Sequence, residues 1–359
     1  MGIKASTRET GKGIDEELKR LLESKRAIIK VVGAGGAGGN TVSRLMEVGI
    51  IGADAISVNT DAQDLLYTDA DVKLLIGKEL TGGLGAGADP KIGEEAAKES
   101  KTEIKNMLEG SDMVFVTCGL GGGTGTGSAP VVADIAKKLG ALTVGVVTLP
   151  FSMEGRHRMG NAKEGLANLQ KSVDTLIVIP NDRLLEIVPD VSLTTAFKIA
   201  DEILVNAVKG ITELITKPGL VNLDFADVRA VMKDGGLAMI GLGESDSENR
   251  AQETVERALN NPLLDIEFDG AKNALINVSG GNDMSLSECQ KIVETVASRM
   301  SPDAKIIWGA QMQKELGDSM KTMLVLTCVR SPHVFNAQKT YTKDQMKEAK
   351  KIFGIDFIE

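Results

Sequence analysis

The sequence is short of the residues from which many catalytic and metal centres are built. It holds two histidines, His157 and His333, and three cysteines, Cys118, Cys289 and Cys328, with no CxxC pair. That leaves no His-rich zinc site to assemble, and such widely spaced cysteines are expected as reduced thiols, not as a disulfide framework. Aromatics are scarce: one Trp, two Tyr and eight Phe. Acidic residues outnumber basic ones by 50 to 41, for a net charge of −9. A surface of that sign, with so few rings to stack on bases, argues against nucleic acid as a partner. No apolar run approaches the ~20 residues that span a bilayer, and residues 1–25 lack the apolar core of a signal peptide. A soluble, cytoplasmic protein is expected.

What is present in excess is glycine, 40 of 359 residues. Fifteen glycines fall in three clusters: five in Gly33–Asn40, four in Gly82–Ala88 and six in Gly119–Gly127. Glycine is costly in ordered structure unless the backbone must turn left-handed or approach something closely. Each cluster therefore needs a reason.

The length predicts two domains, and the hydropathy pattern divides the chain further. Residues 1–26 form an extension in which Ile14, Leu18, Leu21 and Leu22 fall at helical spacing. Beyond it, short Val- and Ile-rich runs at 27–32, 54–58, 72–76, 113–117, 142–148 and 175–179 alternate with helical stretches at 90–108, 128–139 and 161–170. This alternation predicts an α/β fold over 27–195, a Rossmann-like parallel sheet with helices on both faces. A long helical pattern at 193–217 stops at Lys217–Pro218–Gly219 and predicts a central helix over 196–219. Strands at 237–243, 274–279, 305–310 and 322–329, with helices near 246–260 and 285–300, predict a smaller α+β domain over 220–330. The tail, 331–359, carries a capping-box pattern at Thr342 and Gln345.

The first glycine cluster follows a strand, precedes a helix expected to start near Asn40, and satisfies GxGxxG through Gly33, Gly35 and Gly38. Small residues there let backbone N–H groups face a phosphate. The cluster at Gly119–Ser128 has the same placement, and its Thr124, Thr126 and Ser128 add hydroxyls to an anion-binding nest. It contains no lysine, and no GxxxxGK[ST] occurs in the chain, which excludes an ordinary P-loop. Two phosphate cradles suit a nucleoside triphosphate better than a dinucleotide.

Through GGGTGTGS at Gly121–Ser128 the chain resembles the tubulin/FtsZ family of GTPases. The likeness continues in order through GGLGAGADP (82–90), PFSMEGRHR (150–158), AFKIAD (196–201) and NLDFADV (222–228), and covers about residues 27–330. It implies GTP or GDP as ligand, with Mg²⁺ carried on the nucleotide and no metal site made by side chains alone. The phosphates are then expected against Gly35, Gly36, Ala37, Gly38, Gly39 and Asn40, and against Gly121, Gly122, Gly123, Thr124, Gly125, Thr126 and Gly127. The resemblance also places Gly85, Ala86 and Gly87 near the γ-phosphate, and Glu154 and Arg158 at the ribose. Phe197 would stack on guanine and Asp201 would accept from it. Guanine offers N1–H and N2–H₂ donors to one carboxylate and adenine lacks that pair, so such a site rejects ATP. The plainer alternatives are a mobile turn at 82–88, an i,i+4 ion pair for Glu154 and Arg158, and a core ring with a solvated carboxylate for Phe197 and Asp201.

Asn222, Asp224 and Asp227 read by themselves as a helix start with an aspartate cap. The resemblance implies a catalytic role, in which this loop enters the nucleotide site of the next subunit and positions the attacking water. A head-to-tail contact of that kind does not close and builds filaments. The expected partners are further copies of this chain, plus membrane-anchor and regulatory proteins at the mid-cell division site. Membrane contact would be indirect, because no lipidation motif or basic amphipathic stretch is present. The tail, with Met346, Ala349, Ile352 and Phe353 on one side, packs on the body or docks into a partner. Two other readings stand beside this one. One is an NAD-dependent oxidoreductase resting on Gly33–Gly38 and Asp61; the other is a non-hydrolysing scaffold in which Asp224 and Asp227 only cap a helix.

Overall fold

The computed structural model describes residues 26–187, 192–217, 219–221, 223–261 and 271–329. The expected helices near 14–22 and in the 331–359 tail, and Asn222, lie outside the described residues.

In chain order the elements are β1 (Ile29–Ala34), α1 (Gly35–Val48), β2 (Ala53–Asn59), α2 (Ala62–Tyr67), β3 (Val72–Leu75), α3 (Lys78–Thr81), α4 (Pro90–Glu99), α5 (Lys101–Leu108), β4 (Met113–Gly119), α6 (Thr124–Lys138), β5 (Leu142–Leu149), α7 (Arg156–Ser172), β6 (Thr175–Pro180), α8 (Asn181–Ile187), α9 (Leu193–Thr216), α10 (Phe225–Met232), β7 (Gly236–Ser245), α11 (Arg250–Leu259), β8 (Asn273–Gly280), α12 (Leu286–Ser298), β9 (Lys305–Met312) and β10 (Met320–Thr327). Every strand expected from the sequence is present.

The strands form one sheet in the order β3-β2-β1-β4-β5-β6-β7-β10-β8-β9. Neighbours are parallel throughout except for β10, which runs antiparallel to β7 and β8. The sequence does not announce the join between the two halves: Thr175–Ile177 of β6 pair with Gly236–Ala238 of β7, so the sheet is continuous. Continuous Val and Ile runs suit strands covered on both faces. All eight residues of β5 are buried. Its Val144 and Val146 face the core shared with α9, and its Val147 and Leu149 face the core under α6 and α7. A third core lies between the distal strands and α11 and α12.

Helix α9 positions the site. Its 24 residues make a rod of about 36 Å at 1.5 Å per residue. It starts beside the carboxyl end of β5, where the Phe197 ring meets Phe151. It ends at the amino edge of β2, where Thr216 Oγ1 donates to the Ile51 carbonyl at 2.9 Å. The rod thus crosses the sheet from one edge to the other.

Some helix boundaries depart from expectation. Helix α1 begins at Gly35, not near Asn40, and its glycines form the first turns. Low glycine propensity argues against a helix there, but the turn is fixed by contact: a Cβ on Gly38 would lie 2.7 Å from the Thr117 carbonyl oxygen. The stretch 90–108 breaks at Ser100, whose hydroxyl accepts the Gly77 N–H at 3.2 Å. Helices α6 and α7 start earlier than expected, at Thr124 and Arg156.

Candidate active site

The strand order β3-β2-β1-β4-β5-β6 changes direction between β1 and β4, and such a switch point opens a crevice at the carboxyl ends of the strands. Both long glycine loops leave from there. Helix α1 turns to the face shared with α9, and α6 to the opposite face. Their first turns pack backbone on backbone: a Cβ on Gly35 (φ +70) would lie 2.7 Å from Gly125 N, and one on Gly125 would lie 2.8 Å from the Ala34 carbonyl oxygen. A side chain at either position would push the two helix starts apart.

Neither helix has a side-chain cap or an acidic residue in its first turn. The neighbouring α2 and α4 are capped, by Asp61 and Asp89. Two adjacent uncapped helix starts at one crevice present unsatisfied N–H groups and positive dipole ends, which favours an anion. Gly36, Ala37 and Asn40 are exposed on the α1 turn, while Gly38 and Gly39 are buried beneath it. A Cβ on Gly122 would meet nothing within 4 Å, so packing within the chain does not require glycine there.

The hydroxyls of the second loop are less available than their number suggests. Thr126 Oγ1 accepts the Gly121 N–H at 2.8 Å, and Ser128 Oγ donates to the Thr124 carbonyl at 2.7 Å. Thr124 Oγ1 pairs with Thr60 Oγ1 at 2.6 Å. These bonds hold the shape of the loop.

The third loop joins the other two. Gly82, Gly83, Gly85 and Gly87 all have positive φ, which explains that cluster. The turn is tied down, since Gly83 accepts from Ala62 N at 2.9 Å and Gly85 N donates to the Thr60 carbonyl at 3.2 Å. Ala86 is buried against Gly123, and Gly87 is exposed.

Glu154 accepts from Phe151 N at 2.8 Å and pairs with Arg158 at 2.7 Å, so the i,i+4 ion pair exists as drawn from the sequence. Phe197 is 39% exposed and meets the buried Phe151 ring edge-on, centroids 5.2 Å apart, which leaves part of the ring open. Asp201, one turn along α9, shares a hollow of about 660 Å³ with Asn40 of α1. Burial, with Glu202 adding to it, pushes the Asp201 carboxyl up to about 6. Asp61 accepts from Gln63 N and Asp64 N at 2.9 and 3.0 Å, so the acid on which a dinucleotide reading depends is engaged as a cap.

Sequence reasoning missed Asn181, at the carboxyl end of β6. It is 4% exposed and its Oδ1 has no hydrogen-bond partner. A buried amide oxygen left open beside the loop of Phe151 fits a ligand donor. Its only signal was a polar residue directly after an apolar strand.

Asp224 and Asp227 are not at this crevice. Asp224 Oδ1 caps α10, accepting from Asp227 N at 2.8 Å. The other end of α10 is held at the amino edge of the sheet, where Met232 accepts from Thr175 Oγ1 and Arg229 donates to the Gly140 carbonyl. Asp224 is nevertheless exposed and Asp227 partly so.

Residues 28–189 match the family model described as Tubulin/FtsZ family, GTPase domain, and residues 236–330 match FtsZ family, C-terminal domain. The chain is 65% identical over 324 residues to Cell division protein FtsZ 1 of Thermococcus kodakarensis, covering 90% of this chain and 87% of that protein. It is 58% identical over 348 residues to Cell division protein FtsZ of Methanothermobacter thermautotrophicus, covering 97% and 91%. A solved empty FtsZ dimer of M. jannaschii superposes with a TM-score of 0.84 at 62% identity, covering 87% of this chain and 91% of that chain.

Proposed function

The chain belongs to the tubulin/FtsZ family of GTPases, and from that premise we propose how its two poles divide the reaction. The protein is a filament-forming GTPase of cell division. GTP lies at the switch point with its phosphates on the uncapped starts of α1 and α6, and with the loop of Gly85, Ala86 and Gly87 near the γ-phosphate. Phe197 and Asp201 take the guanine, Asn181 adds an acceptor, and Glu154 and Arg158 lie at the ribose.

The observation that supports a divided site is the position of α9. It holds Asp201 at one edge of the sheet and sends the chain to Asp224 and Asp227 from the other. Asp224 and Asp227 therefore lie away from the γ-phosphate position of their own subunit. A second subunit stacked head-to-tail supplies Asp224 and Asp227 in trans, with Asn222 in the same loop. Hydrolysis then depends on assembly.

Mg²⁺ fits as an ion held mainly by the nucleotide. Among the described residues no three of His, Cys, Asp and Glu are grouped around a metal position. Asp61 beside Gly85 and Asp64 beside Gly36 are the carboxylates bordering the loops. When bound, the ion offsets phosphate charge that these lysine-free loops meet only with backbone dipoles. Membrane-anchor and regulatory proteins at the mid-cell division site complete the reading, and no helix among the described residues is long and apolar enough to cross a membrane.

Phosphate release from GTP over a dilution series, with ATP as control and light scattering in parallel, tests this. Release should be specific for GTP and should rise together with scattering above a threshold concentration. Turnover per subunit that stays constant on dilution would place the catalytic residues within one chain.

A further inference from the structure

The hollow shared by Asp201 and Asn40 carries an excess of carboxylates. Asp201 and Glu202 come from α9, Glu47 from α1 and Asp69 from the stretch after α2, against the cations Arg44 of α1 and Lys198 of α9. A guanine-reading carboxylate must stay ionised to accept two donors, and each neighbouring carboxylate opposes that. Burial holds the Asp201 carboxyl up, and Glu202, the next residue on α9, adds to it. Arg44 reaches across from the other helix: one guanidinium nitrogen lies 3.2 Å from Glu202 and another 2.5 Å from Glu47. It therefore bridges the helix that starts under the phosphates to the helix that reads the base.

We infer that Arg44 is a positioning residue for guanine recognition, tying α1 to α9 and holding Glu202 in an ion pair so that its charge opposes the Asp201 carboxylate less. Arg44 does not touch the base; it acts through Glu202. The inference rests on the reading of Asp201 given above. Both partners are partly exposed, with side chains 40% and 34% accessible, so the effect is expected to be modest and screened by salt. Lys198 does not replace Arg44, because no ion pair to Glu202 other than that of Arg44 is found among the described residues.

The test is the GDP affinity of the full chain from pH 5.5 to 8, at low salt, for five forms of the protein. In the unmodified chain affinity should fall as the pH drops through the titration of Asp201. In Arg44→Gln that fall should move to higher pH by about half a unit, with binding at pH 5.5 weakened between about twofold and threefold and binding at pH 7.5 nearly unchanged. Arg44→Lys should restore most of the profile, and Arg44→Gln combined with Glu202→Gln should restore it fully. A purely structural role would lower affinity at every pH without moving the profile. An Arg44→Gln profile that titrates at the unmodified pH, while Asp201→Asn abolishes the pH dependence, overturns the role of Arg44. An Asp201→Asn chain that keeps both guanine preference and pH dependence overturns the reading of Asp201 itself.

Discussion

The two halves of the sheet are held in shape by different means, and the difference marks which half awaits a ligand. In the nucleotide half, order around the crevice comes from backbone contact: helix starts pressed together at Gly35 and Gly125, left-handed turns at Gly82–Gly87, and N–H groups left uncapped. In the distal half a side-chain clasp takes that part. Arg250, 8% exposed, pairs with Glu288 at 2.7 and 3.3 Å and with Asp283 at 2.8 Å, and donates to the Asp318 carbonyl. The clasp finds all of these partners within the chain. In the nucleotide half an open anion cradle and an Asp201 carboxyl that burial pushes up to about 6 stand ready for an external partner.

The sharpest way to break this contrast is at the far end of α9. Asp224→Ala with Asp227→Ala should lower GTP turnover by about a thousandfold, some 4 kcal/mol in the barrier, while nucleotide affinity stays within about twofold. Phosphate release and direct binding read the two separately. Next in size is the clasp. Arg250→Ala should destabilise the fold by about 3 kcal/mol in denaturant melts, because two carboxylates lose their partner. GDP affinity of the folded fraction should be unchanged. The pH dependence follows from Glu288, which Arg250 holds down at about 2. Its stabilisation is present above the unfolded value of about 4.3 and is lost as pH falls toward 2. The stability gap between Glu288→Gln and the unmodified chain should close over that window.

A paired glycine experiment sharpens the comparison within the cradle. Gly125→Ala puts a Cβ 2.8 Å from the Ala34 carbonyl oxygen and should cost about 2 kcal/mol of stability. Gly122→Ala has open space and should leave the melting temperature alone. It should nonetheless weaken GTP binding about tenfold. The smallest effect concerns Asp201. A raised carboxyl pKa means that the folded protein resists ionisation, so the group costs stability above about 6. That cost is relieved as pH falls from 6 toward the unfolded value of about 4. GTP affinity should move the other way, falling as the carboxyl protonates. Melts of nucleotide-free protein against Asp201→Asn isolate the contribution.

Much of this architecture is legible in the order of the residues alone. The ten strands follow from Val and Ile runs, and the glycine clusters from the rarity of anything else that tolerates such turns. What local pattern does not reveal is set by contacts distant in sequence. Propensity places the start of α1 after its glycines, whereas close approach to Thr117 and Gly125 puts it at Gly35. Ser100 breaks a helix because Gly77, far along the chain, needs an acceptor. The β6–β7 join rests on three residue pairs with no local signature. Asn181 is a single polar residue, and only its burial with an open oxygen singles it out. Asp224 shows the reverse case, since its cap is plain in both sequence and structure and does not by itself speak of catalysis.

The central claim is that the two ends of α9 serve different copies of the active site. Mixing two inactive chains tests it directly, one carrying Asp224→Ala and Asp227→Ala, the other carrying Asp201→Ala. If the site is completed in trans, a mixture of equal parts should recover up to about a quarter of the unmodified GTPase activity, because that share of head-to-tail contacts joins an intact cradle to an intact acidic turn. A mixture that co-assembles and stays as inactive as its parts would contradict the account.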